Sequence, residues 1–294
     1  MVSSSPRIVF AVDDRYVWPL CVALVSLEEA HRDDRSCPRV AVLHEGLGAT
    51  GQAVVERLAR TLDVHVDFLQ APSPSRRPVS EWWSSAMYLR LAIPDLLPRD
   101  RVALYLDADT VILDRVWPLL QTDVSDVCLA AVRDPFNPVL ACDTKLPGWR
   151  ELGLSGDTEY FNSGVMLMNL ERWRDERIAD RCSEFLEHNH EHVRFWDQDS
   201  LNVVVADRWL RLDRRWNTFP VSAMLAITGA KYRGEDVLPL SALLADEGAA
   251  AIMHFAGRVK PWDVSFPAGP ARALYRRFGD TARDLVKPVS ASAR

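Results

Sequence analysis

Long apolar runs and paired cysteines are missing from this sequence, and each absence removes a class of protein. The apolar segment 16–27 is interrupted by Pro19 and Ser26, so it falls short of the about 18 consecutive apolar residues that a membrane-spanning helix needs. The five cysteines are an odd number with no C-x-x-C spacing, which argues against a disulfide framework or a zinc site. The N-terminus also lacks the basic and apolar regions of an export signal. We therefore expect reduced thiols and a cytoplasmic location.

Basic charge is scarce as well. The 35 lysines and arginines are outnumbered by 41 aspartates and glutamates, which gives a formal net charge of −6. Binding to a nucleic-acid backbone demands a basic face, so nucleic acid is not an expected partner. The 294 residues, 48% of them hydrophobic, suffice for one large domain or two closely packed ones. This composition excludes a disordered chain or a fibrous repeat.

Short apolar runs alternate with helical patterns in the first half of the sequence. The predicted strands are residues 7–12, 39–44, 64–69 and 101–106, and the predicted helices are 17–31, 50–62 and 84–97. Such alternation indicates βαβ units, and therefore a Rossmann-like α/β fold with a mostly parallel sheet and helices on both faces. Segment 71–78 is rich in proline, serine and arginine, and we predict an exposed, mobile loop there.

The pattern is weaker in the second half. Its predicted elements are strands at 127–132, 160–169 and 250–253 and helices at 177–187 and 198–206, with irregular chain at 133–158 and 207–249. There is no internal repeat and no long linker, so we expect one domain over residues 1–269 and a basic tail over 270–294.

Two pairs of aspartates have the D-x-D spacing that can hold a hard divalent cation bound to a diphosphate. The sequence contains 27 aspartates, so about two such pairs are expected by chance and the spacing alone is weak. Asp107 and Asp109 directly follow a buried strand, at the end where ligands of open α/β sheets bind; the other interpretation is an acidic turn. Asp197 and Asp199 stand where a helix begins, where an aspartate often serves only as the N-cap.

Histidines could complete such a cation site. The three histidines of segment 188–192 follow an amphipathic helix, where residues two apart point to different faces, so a solvated helix end is the better interpretation. His254 follows a buried strand and precedes Gly257 and Lys260. Glycine permits close backbone approach there, and lysine supplies a charge suited to phosphate. A histidine in that place more often forms a hydrogen bond in the core, so His254 needs independent support.

Six segments in order resemble the motifs of glycosyltransferase family 8, the retaining, metal-dependent UDP-hexose transferases. They are IVFAVDD (8–14), YLRL (88–91), LYLDAD (104–109), YFNSGV (160–165), DQDSLN (197–202) and HFAGRVKPW (254–262). The resemblance covers most of the chain, and six ordered matches are far more specific than any one of them. It implies a single nucleotide-diphospho-sugar transferase domain of the GT-A type, with a nucleotide-binding half over about 7–135 and a donor-sugar and acceptor half over about 136–269.

The resemblance also implies roles for individual residues. Asp107, Asp109 and His254 would bind Mn²⁺, with Mg²⁺ as the second choice, beside two diphosphate oxygens. The implied contacts to nucleotide and metal are Ala11, Asp13, Tyr16, Arg90, Asp107, Ala108, Asp109, Gly257 and Lys260. The residues implied in catalysis at the hexose are Gln198, Asp197, Arg90 and Asn162, with Asp134 a weaker candidate.

The base-binding part of this site is expected to depart from the family. Asp13 and the backbone at Ala11 would accept hydrogen bonds from uracil, although Asp13 could instead be a turn acid. Tyr16 would stack on the base or pack against the sheet. Arg15 stands where many family members have an asparagine that faces the uracil, so the base contact is expected to differ in this chain.

The function that the resemblance implies is transfer of a hexose, glucose or galactose, from a UDP-sugar to an acceptor hydroxyl with retention of configuration. The acceptor would be an unidentified glycan, lipid-linked or small molecule. The alternatives are a UDP-sugar hydrolase, a nucleotidyltransferase, or a silent sugar-nucleotide-binding protein. Retention would arise by same-face attack or through a covalent intermediate, and we favour the first because an amide such as Gln198 is a poor nucleophile. Loops 71–80 and 256–262 are expected to close over the donor.

The tail differs in charge from the rest of the chain. Residues 270–294 contain six basic and two acidic residues. Leu274, Tyr275, Phe278 and Leu285 are interleaved with them, so the tail could lie on an anionic membrane surface, at the inner face of the cell membrane. The other interpretation is a solvated terminal helix. The sequence does not predict an oligomeric state.

Overall fold

The structure, a computed structural model, describes residues 6–34, 37–72, 85–142, 145–229 and 232–287, and every element below lies in these ranges. The strands are β1 (Arg7–Ala11), β2 (Val40–His44), β3 (Val66–Gln70), β4 (Val102–Leu106), β5 (Thr110–Ile112), β6 (Leu129–Arg133), β7 (Phe161–Asn169), β8 (Trp209–Arg211) and β9 (Ile252–His254). The α-helices are α1 (Val17–His31), α2 (Ala49–Leu62), α3 (Ile93–Leu96), α4 (Trp117–Leu120), α5 (Leu170–Asp175), α6 (Ile178–Asn189), α7 (Trp196–Val205), α8 (Val221–Thr228), α9 (Leu240–Asp246) and α10 (Pro270–Val286). Short 3-10 helices lie at Asp14–Tyr16, Ser85–Ala92, Leu140–Cys142, His190–His192, Arg214–Asn217 and Glu247–Ala249.

Seven strands form the central sheet, in the order β3-β2-β1-β4-β7-β6-β8. Neighbouring strands are parallel except at β7, which runs antiparallel to both β4 and β6. β7 therefore begins at the edge of the sheet where β4 ends, with Leu106 paired to Val165. The mostly parallel, Rossmann-like sheet that the sequence predicts is confirmed, with one reversed strand near its middle.

The sheet is buried on both faces because its central strands are apolar at nearly every position. In β1, Ile8 and Phe10 pack with α1 and α10 on one side, while Val9 packs with the cluster that contains Trp173 of α5 and Leu201 of α7 on the other. All five side chains are at most 1% exposed. Burial of one such side chain contributes about 1.5–3 kcal/mol to the stability of the fold. Both apolar faces of the sheet are therefore covered by helices, as predicted.

A second, two-stranded sheet lies beside the carboxyl end of β4. β5 begins only four residues after β4 ends, and it pairs antiparallel with β9 so that Thr110 faces His254. The backbone N–H of Phe255 donates to the carbonyl of Asp109 at 3.0 Å and continues this pairing. His254 is therefore the last residue of a strand, rather than the residue after it, and the pairing brings it next to the first D-x-D.

The segment 207–249, which the sequence predicts to be irregular, contains regular structure. It forms β8, the 3-10 helix Arg214–Asn217, α8 and α9. β8 has only three residues and depends on its pairing with β6, so its own pattern is too short to read. The helix predicted at 84–97 is mostly the 3-10 helix Ser85–Ala92, followed by a single turn, α3. Residues 73–84, with most of the predicted loop 71–80, lie outside the described residues.

The beginning of the basic tail forms α10, which packs against α1 and α2. Tyr275 and Phe278 are 2% exposed, and Leu274 and Leu285 pack against the same core. Arg277 forms an ion pair of 2.8 Å with Glu29 of α1. The apolar residues that the sequence offered for a membrane contact thus face the protein instead. In the described part of the chain, no helix combines the length and the apolar character needed to cross a bilayer.

Candidate active site

Three potential metal ligands converge where β4 ends. Asp107 and Asp109 follow β4, and His254 reaches them from β9. Its Nε2 lies 3.6 Å from Oδ2 of Asp107 and 3.4 Å from Oδ1 of Asp109. One ligand atom from each residue lies within 4.8 Å of the other two. Two carboxylates and one imidazole suit a divalent cation such as Mn²⁺, so the residues that the sequence singled out fit such an ion.

Gly164 of β7 provides the space for these side chains. Its backbone carbonyl accepts a hydrogen bond of 2.8 Å from the N–H of Asp107. A Cβ atom at this position would lie 2.2 Å from Cε1 of His254 and 2.8 Å from Oδ2 of Asp107. Only glycine therefore leaves room for both ligands above this strand.

Lys260 supplies a cation at the edge of the cluster. Its Nζ lies 2.5 Å from Oδ2 of Asp109 and donates to the carbonyl of Phe255 at 3.0 Å. Burial by itself would raise the pKa of Asp109, but the ammonium group of Lys260 and the neighbouring imidazole of His254 outweigh this effect and lower that pKa. The turn that leads to Lys260 passes through Gly257 with φ +101°, a conformation that favours glycine.

Arg90 connects the first D-x-D with the second. It is 6% exposed, and its NH2 donates to Oδ1 of Asp107 at 3.0 Å while its Nε lies 2.9 Å from Oδ2 of Asp197. Its NH1 donates to the carbonyl and hydroxyl oxygens of Ser163, and its guanidinium lies 4.6 Å from the ring centroid of Tyr105. The fork of the guanidinium thus sets the spacing of two carboxylates in the site.

Asp197 is a buried carboxylate beside this arginine. Burial raises its pKa to about 6, and the charge of Arg90 offsets only part of that effect. Its Oδ2 is close to Arg90 but receives no well-aligned hydrogen bond from a described residue. A buried oxygen that can accept a further hydrogen bond is suited to bind a hydroxyl group of a ligand.

Asn162 and Gln198 lie next to each other at the same edge. The Nδ2 of Asn162 donates to Oε1 of Gln198 at 3.0 Å, and this oxygen also accepts from the backbone N–H of Ser163 at 3.1 Å. The Nε2 of Gln198 donates to the hydroxyl of Tyr160 at 3.1 Å, which in turn donates to Oδ1 of Asp199 at 2.5 Å. Both amides are therefore held in one orientation.

The two aspartates of the second D-x-D have different surroundings. Asp199 accepts from the backbone N–H groups of Arg194 and Phe195 at 2.6 and 2.8 Å, so it holds the chain just before α7. The N-cap of α7 is Phe195, so the N-cap interpretation of this pair is wrong. Asp197 faces Arg90 instead. Only one member of this pair therefore belongs to the candidate site.

The expected base site lies at the ends of β1 and β2. A cavity of about 240 Å³ is lined there by Val12, Asp13, Asp14, Glu45, Gly46, Leu47 and Leu89. Oδ1 of Asp13 accepts from the backbone N–H groups of Arg15 and Tyr16, and its Oδ2 accepts from the guanidinium of Arg15 at 2.9 and 3.1 Å. Asp13 is thus a turn acid and an ion-pair partner in this structure, and a base must share it with Arg15.

Tyr16 packs against aromatic side chains. Its ring meets that of Trp262 edge to face, with centroids 6.1 Å apart, and Trp262 in turn lies against Tyr275 of α10. Burial raises the pKa of the Tyr16 hydroxyl to about 12. Tyr16 thus packs against an aromatic neighbour in this structure, and its stacking on a base stays a prediction. Ala11 ends β1, and Ala108 is 3% exposed between the first pair of aspartates.

The structure adds residues that the sequence analysis missed. Tyr105, whose hydroxyl donates to Oδ1 of Asp107 at 2.6 Å, and Ser163 belong to apolar strands and carry no local signal. Asn217 lies in the segment predicted to be irregular. Asp134, only a weak candidate from the sequence, is fully buried and lies 3.4 Å from Nδ2 of Asn162.

The histidines of segment 188–192 stay away from the cluster. His188 lies in the last turn of α6 and His190 begins the following 3-10 helix, and both are exposed, whereas His192 is half-buried. Among the described residues, the group of potential ligands found is Asp107, Asp109 and His254. The structure agrees with a solvated helix end.

The chain is similar to known proteins over nearly its whole length. A model of the family described as glycosyl transferase family 8 matches residues 7–265. General stress protein A of Bacillus subtilis is 26% identical over 268 residues, which cover 87% of this chain and 87% of that protein. The lipopolysaccharide 1,2-glucosyltransferase of Escherichia coli K12 is 31% identical over 189 residues, which cover 63% of this chain and 51% of that protein.

A solved structure shows the same architecture. The galactosyltransferase LgtC in complex with donor and acceptor sugar analogues is 27% identical to this chain, with a TM-score of 0.75, and the match covers 97% of this chain and 98% of that one. The likeness therefore includes the sheet, the helices on both of its faces and the edge at which the candidate site lies.

Proposed function

Because the chain belongs to glycosyl transferase family 8 and is a glycosyltransferase, we propose that it moves glucose or galactose from a UDP-sugar to an acceptor hydroxyl with retention of configuration. The proposal includes dependence on Mn²⁺, with Mg²⁺ as the second choice. The observation that carries it is the junction made by Arg90, which binds Asp107 of the potential metal cluster and Asp197 of the polar group beside it. A diphosphate and its hexose need such adjacent sites.

The division of labour follows from the contacts. Asp107, Asp109 and His254 would hold the ion, which when bound neutralises charge on the leaving diphosphate. Lys260 would add an ammonium group to the same diphosphate. The hexose hydroxyls would form hydrogen bonds with Oδ2 of Asp197 and with the amides of Asn162 and Gln198. Arg90 would hold Asp197 in place. The nucleotide-binding half 7–135 and the sugar half 136–269 would meet at this arginine.

Same-face attack is the mechanism that the surroundings of Gln198 support. Its Oε1 already accepts from Nδ2 of Asn162 and from the N–H and hydroxyl of Ser163, and an amide is a weak nucleophile compared with a carboxylate. The acceptor hydroxyl would attack C1 of the hexose on the side that the diphosphate leaves. The C1–O bond to UDP breaks, a new C1–O bond forms, and the acceptor proton passes to the leaving phosphate oxygen.

The acceptor and the location belong to the proposal as well. The acceptor would be a glycan, a lipid-linked sugar or a small molecule with a free hydroxyl. A cytoplasmic site is supported by the five cysteines, all of which are thiols rather than disulfides. Arg276 of α10 is exposed and would be available to an anionic surface, whereas the apolar residues of this helix pack against the protein.

The direct test is to incubate the protein with UDP-glucose and UDP-galactose, with and without Mn²⁺, and to measure released UDP. We expect Mn²⁺-dependent release that rises when a bacterial glycan acceptor is added, and a product of unchanged anomeric configuration by NMR. Release that no acceptor increases would indicate a hydrolase, and release of pyrophosphate from UTP and a sugar phosphate would indicate a nucleotidyltransferase. No turnover or binding of either donor, with Asp109→Asn identical to the wild type, would contradict the proposal.

A further inference from the structure

Asn217 is a buried residue that contacts both the potential metal cluster and the polar group beside it. It ends the 3-10 helix Arg214–Asn217 and is 2% exposed. Its Oδ1 lies 2.9 Å from Nδ1 of His254, and its Nδ2 donates to Oδ1 of Asn162 at 2.8 Å. Both polar atoms of this amide are thus used for residues of the site.

The backbone fixes Asn217 beside His254. The next residue, Thr218, pairs with β9: its N–H donates to the carbonyl of Ile252 at 2.9 Å, and its carbonyl accepts from the N–H of His254 at 2.8 Å. Phe219 then packs edge to face against the imidazole with centroids 5.1 Å apart. The imidazole is therefore held on one side by an aromatic ring and at Nδ1 by the amide.

The direction of each hydrogen bond follows from a backbone group whose role is fixed. The N–H of Gly164 can only donate, and it lies 3.0 Å from one side-chain atom of Asn162, so that atom is the carbonyl oxygen. Asn217 must then present its NH₂ group to this oxygen. Its own oxygen is left to face His254, and Nδ1 of the imidazole must carry the proton.

Because Nδ1 carries the proton, the lone pair of the neutral imidazole is on Nε2. Nε2 is the atom that lies 3.6 and 3.4 Å from the carboxylates of Asp107 and Asp109. In the opposite tautomer, an N–H group would point into the cluster and could not bind a cation. A hydrogen bond at the remote ring nitrogen is the usual way in which proteins orient a metal-binding histidine.

We propose that Asn217 is a positioning residue that holds His254 in the tautomer whose Nε2 lone pair faces Asp107 and Asp109, and that it thereby prepares His254 to bind a divalent cation. The inference rests on the proposed function, because it assumes that these three residues hold such an ion. It also links the cation to the hexose, since the same amide orients Asn162.

Two substitutions separate this role from a merely structural one. Asn217→Leu keeps the approximate volume and removes both hydrogen bonds, whereas Asn217→Asp keeps an oxygen that can accept from Nδ1–H of His254. The matched control is Asn169→Leu. Asn169 is 7% exposed at the far end of β7, where its side chain bonds the carbonyl of Val124 and the N–H of Arg172. The Asn169→Leu variant therefore loses a comparable pair of buried hydrogen bonds outside the candidate site.

The first measurement is the affinity for Mn²⁺ without nucleotide, from the electron paramagnetic resonance signal of the free ion. We expect Asn217→Leu to bind Mn²⁺ about 10- to 100-fold more weakly than the wild type, Asn217→Asp to recover most of this loss, and Asn169→Leu to match the wild type. An Asn217→Leu protein that melts like Asn169→Leu yet binds Mn²⁺ as tightly as the wild type would overturn the proposal.

The second measurement needs no variant. Nitrogen-15 NMR of the histidines, at a pH where the imidazole of His254 is neutral, reports which ring nitrogen is protonated, and His254→Gln assigns the signal. We expect the proton on Nδ1, and a proton on Nε2 would overturn the proposal even if Asn217→Leu does not fold. If the wild type binds neither Mn²⁺ nor Mg²⁺, the proposed function fails, and this tautomer still decides the role of Asn217.

Discussion

Lys260 and His254 face opposite oxygens of Asp109: the ammonium nitrogen lies 2.5 Å from Oδ2, and Nε2 of the imidazole lies 3.4 Å from Oδ1. A divalent cation held by Asp109 must therefore share this carboxylate with a lysine that already neutralises it. In the proposed function, the same ammonium group would also contact the diphosphate.

This arrangement predicts opposite effects of Lys260→Met on two ligands. The variant removes a competing positive charge, so Mn²⁺ without nucleotide should bind more tightly, by up to about tenfold for a gain of about 1.4 kcal/mol. UDP should bind more weakly by a similar factor, because one cationic contact to its diphosphate is lost. Isothermal titration of each ligand checks both effects. Lys287→Met, a change at an exposed residue just after α10, is the control, and tighter binding of UDP to Lys260→Met would contradict the assignment.

A methyl group at position 164 should disable the cluster. In Gly164→Ala, the new Cβ would lie 2.2 Å from Cε1 of His254, so the imidazole must move. We expect the affinity for Mn²⁺ to fall at least about tenfold and the free energy of unfolding to fall by about 1–3 kcal/mol. Metal titration and urea unfolding measure the two effects. Gly248→Ala, where nothing lies within 4 Å of the added atom, should leave Mn²⁺ binding unchanged.

The role of Arg90 in activity should depend on the shape of its guanidinium group and not on its positive charge alone. Arg90→Lys keeps the positive charge but cannot reach Asp107, Asp197 and Ser163 at once, so kcat/KM should fall by about 10²–10³. Arg174→Lys is the matched control, because Arg174 also makes several hydrogen bonds, to the carbonyls of Pro94, Leu97 and Asp100, outside the site. Steady-state kinetics with the preferred donor would refute this role if the two variants behaved alike.

His31 should make stability depend on pH. Its Nε2 accepts from the N–H of Val116 at 3.1 Å, and its Nδ1 contacts the carbonyl of Leu27 at 2.8 Å, so the folded state holds a neutral imidazole. Burial lowers its pKa below the ordinary 6.5. The unfolded chain therefore binds a proton first, and stability should fall as pH drops below about 6.5.

The measurement for His31 is the thermal unfolding midpoint between pH 8 and pH 5. Replacement by glutamine should flatten the part of the curve below pH 6.5, because the group that titrates is gone. A His31→Gln protein with the same slope as the wild type would show that other groups dominate. His190→Gln, which changes an exposed residue, should leave the slope as it is.

Helix α10 should be part of the folded domain. Phe278 is 2% exposed, and Phe278→Ala should lower the free energy of unfolding by about 3–5 kcal/mol. Arg276 is exposed on the same helix, and Arg276→Ala should change it by no more than about 0.5 kcal/mol. Urea unfolding compares them. Equal stability of the two variants would mean that α10 does not pack as described.

The sequence predicts the fold well where a local pattern repeats. Helix α1 occupies Val17–His31, as its periodicity predicts, and the strands of the first half agree within two residues. The sequence does not predict an element that depends on a partner distant in the chain. β8 consists of three residues whose hydrogen-bond partners belong to β6, and β5 exists only as the partner of β9.

The candidate site shows the same limit. The place of Asp107 and Asp109 after an apolar strand points to them, the family resemblance adds His254 as a third potential ligand, and the structure brings the three together. Asn217 could not be found in this way, because its importance comes from the pairing of Thr218 with β9 and not from its neighbours in sequence. Arg15 was noticed as unusual, but only the structure shows that its guanidinium holds Asp13.

The reversed strand β7 has a consequence for any attempt to move this site to another protein. Asn162 and Gly164 lie on one face of β7, and Ser163 lies on the other. A shift of the β4–β7 register by one residue would place the serine side chain beneath His254 and aim the asparagine away from Asn217. The smallest unit that could be transferred is therefore a pair of strands in a defined alignment. A D-x-D tripeptide grafted onto a parallel sheet would lack the space that Gly164 leaves for Asp107 and His254.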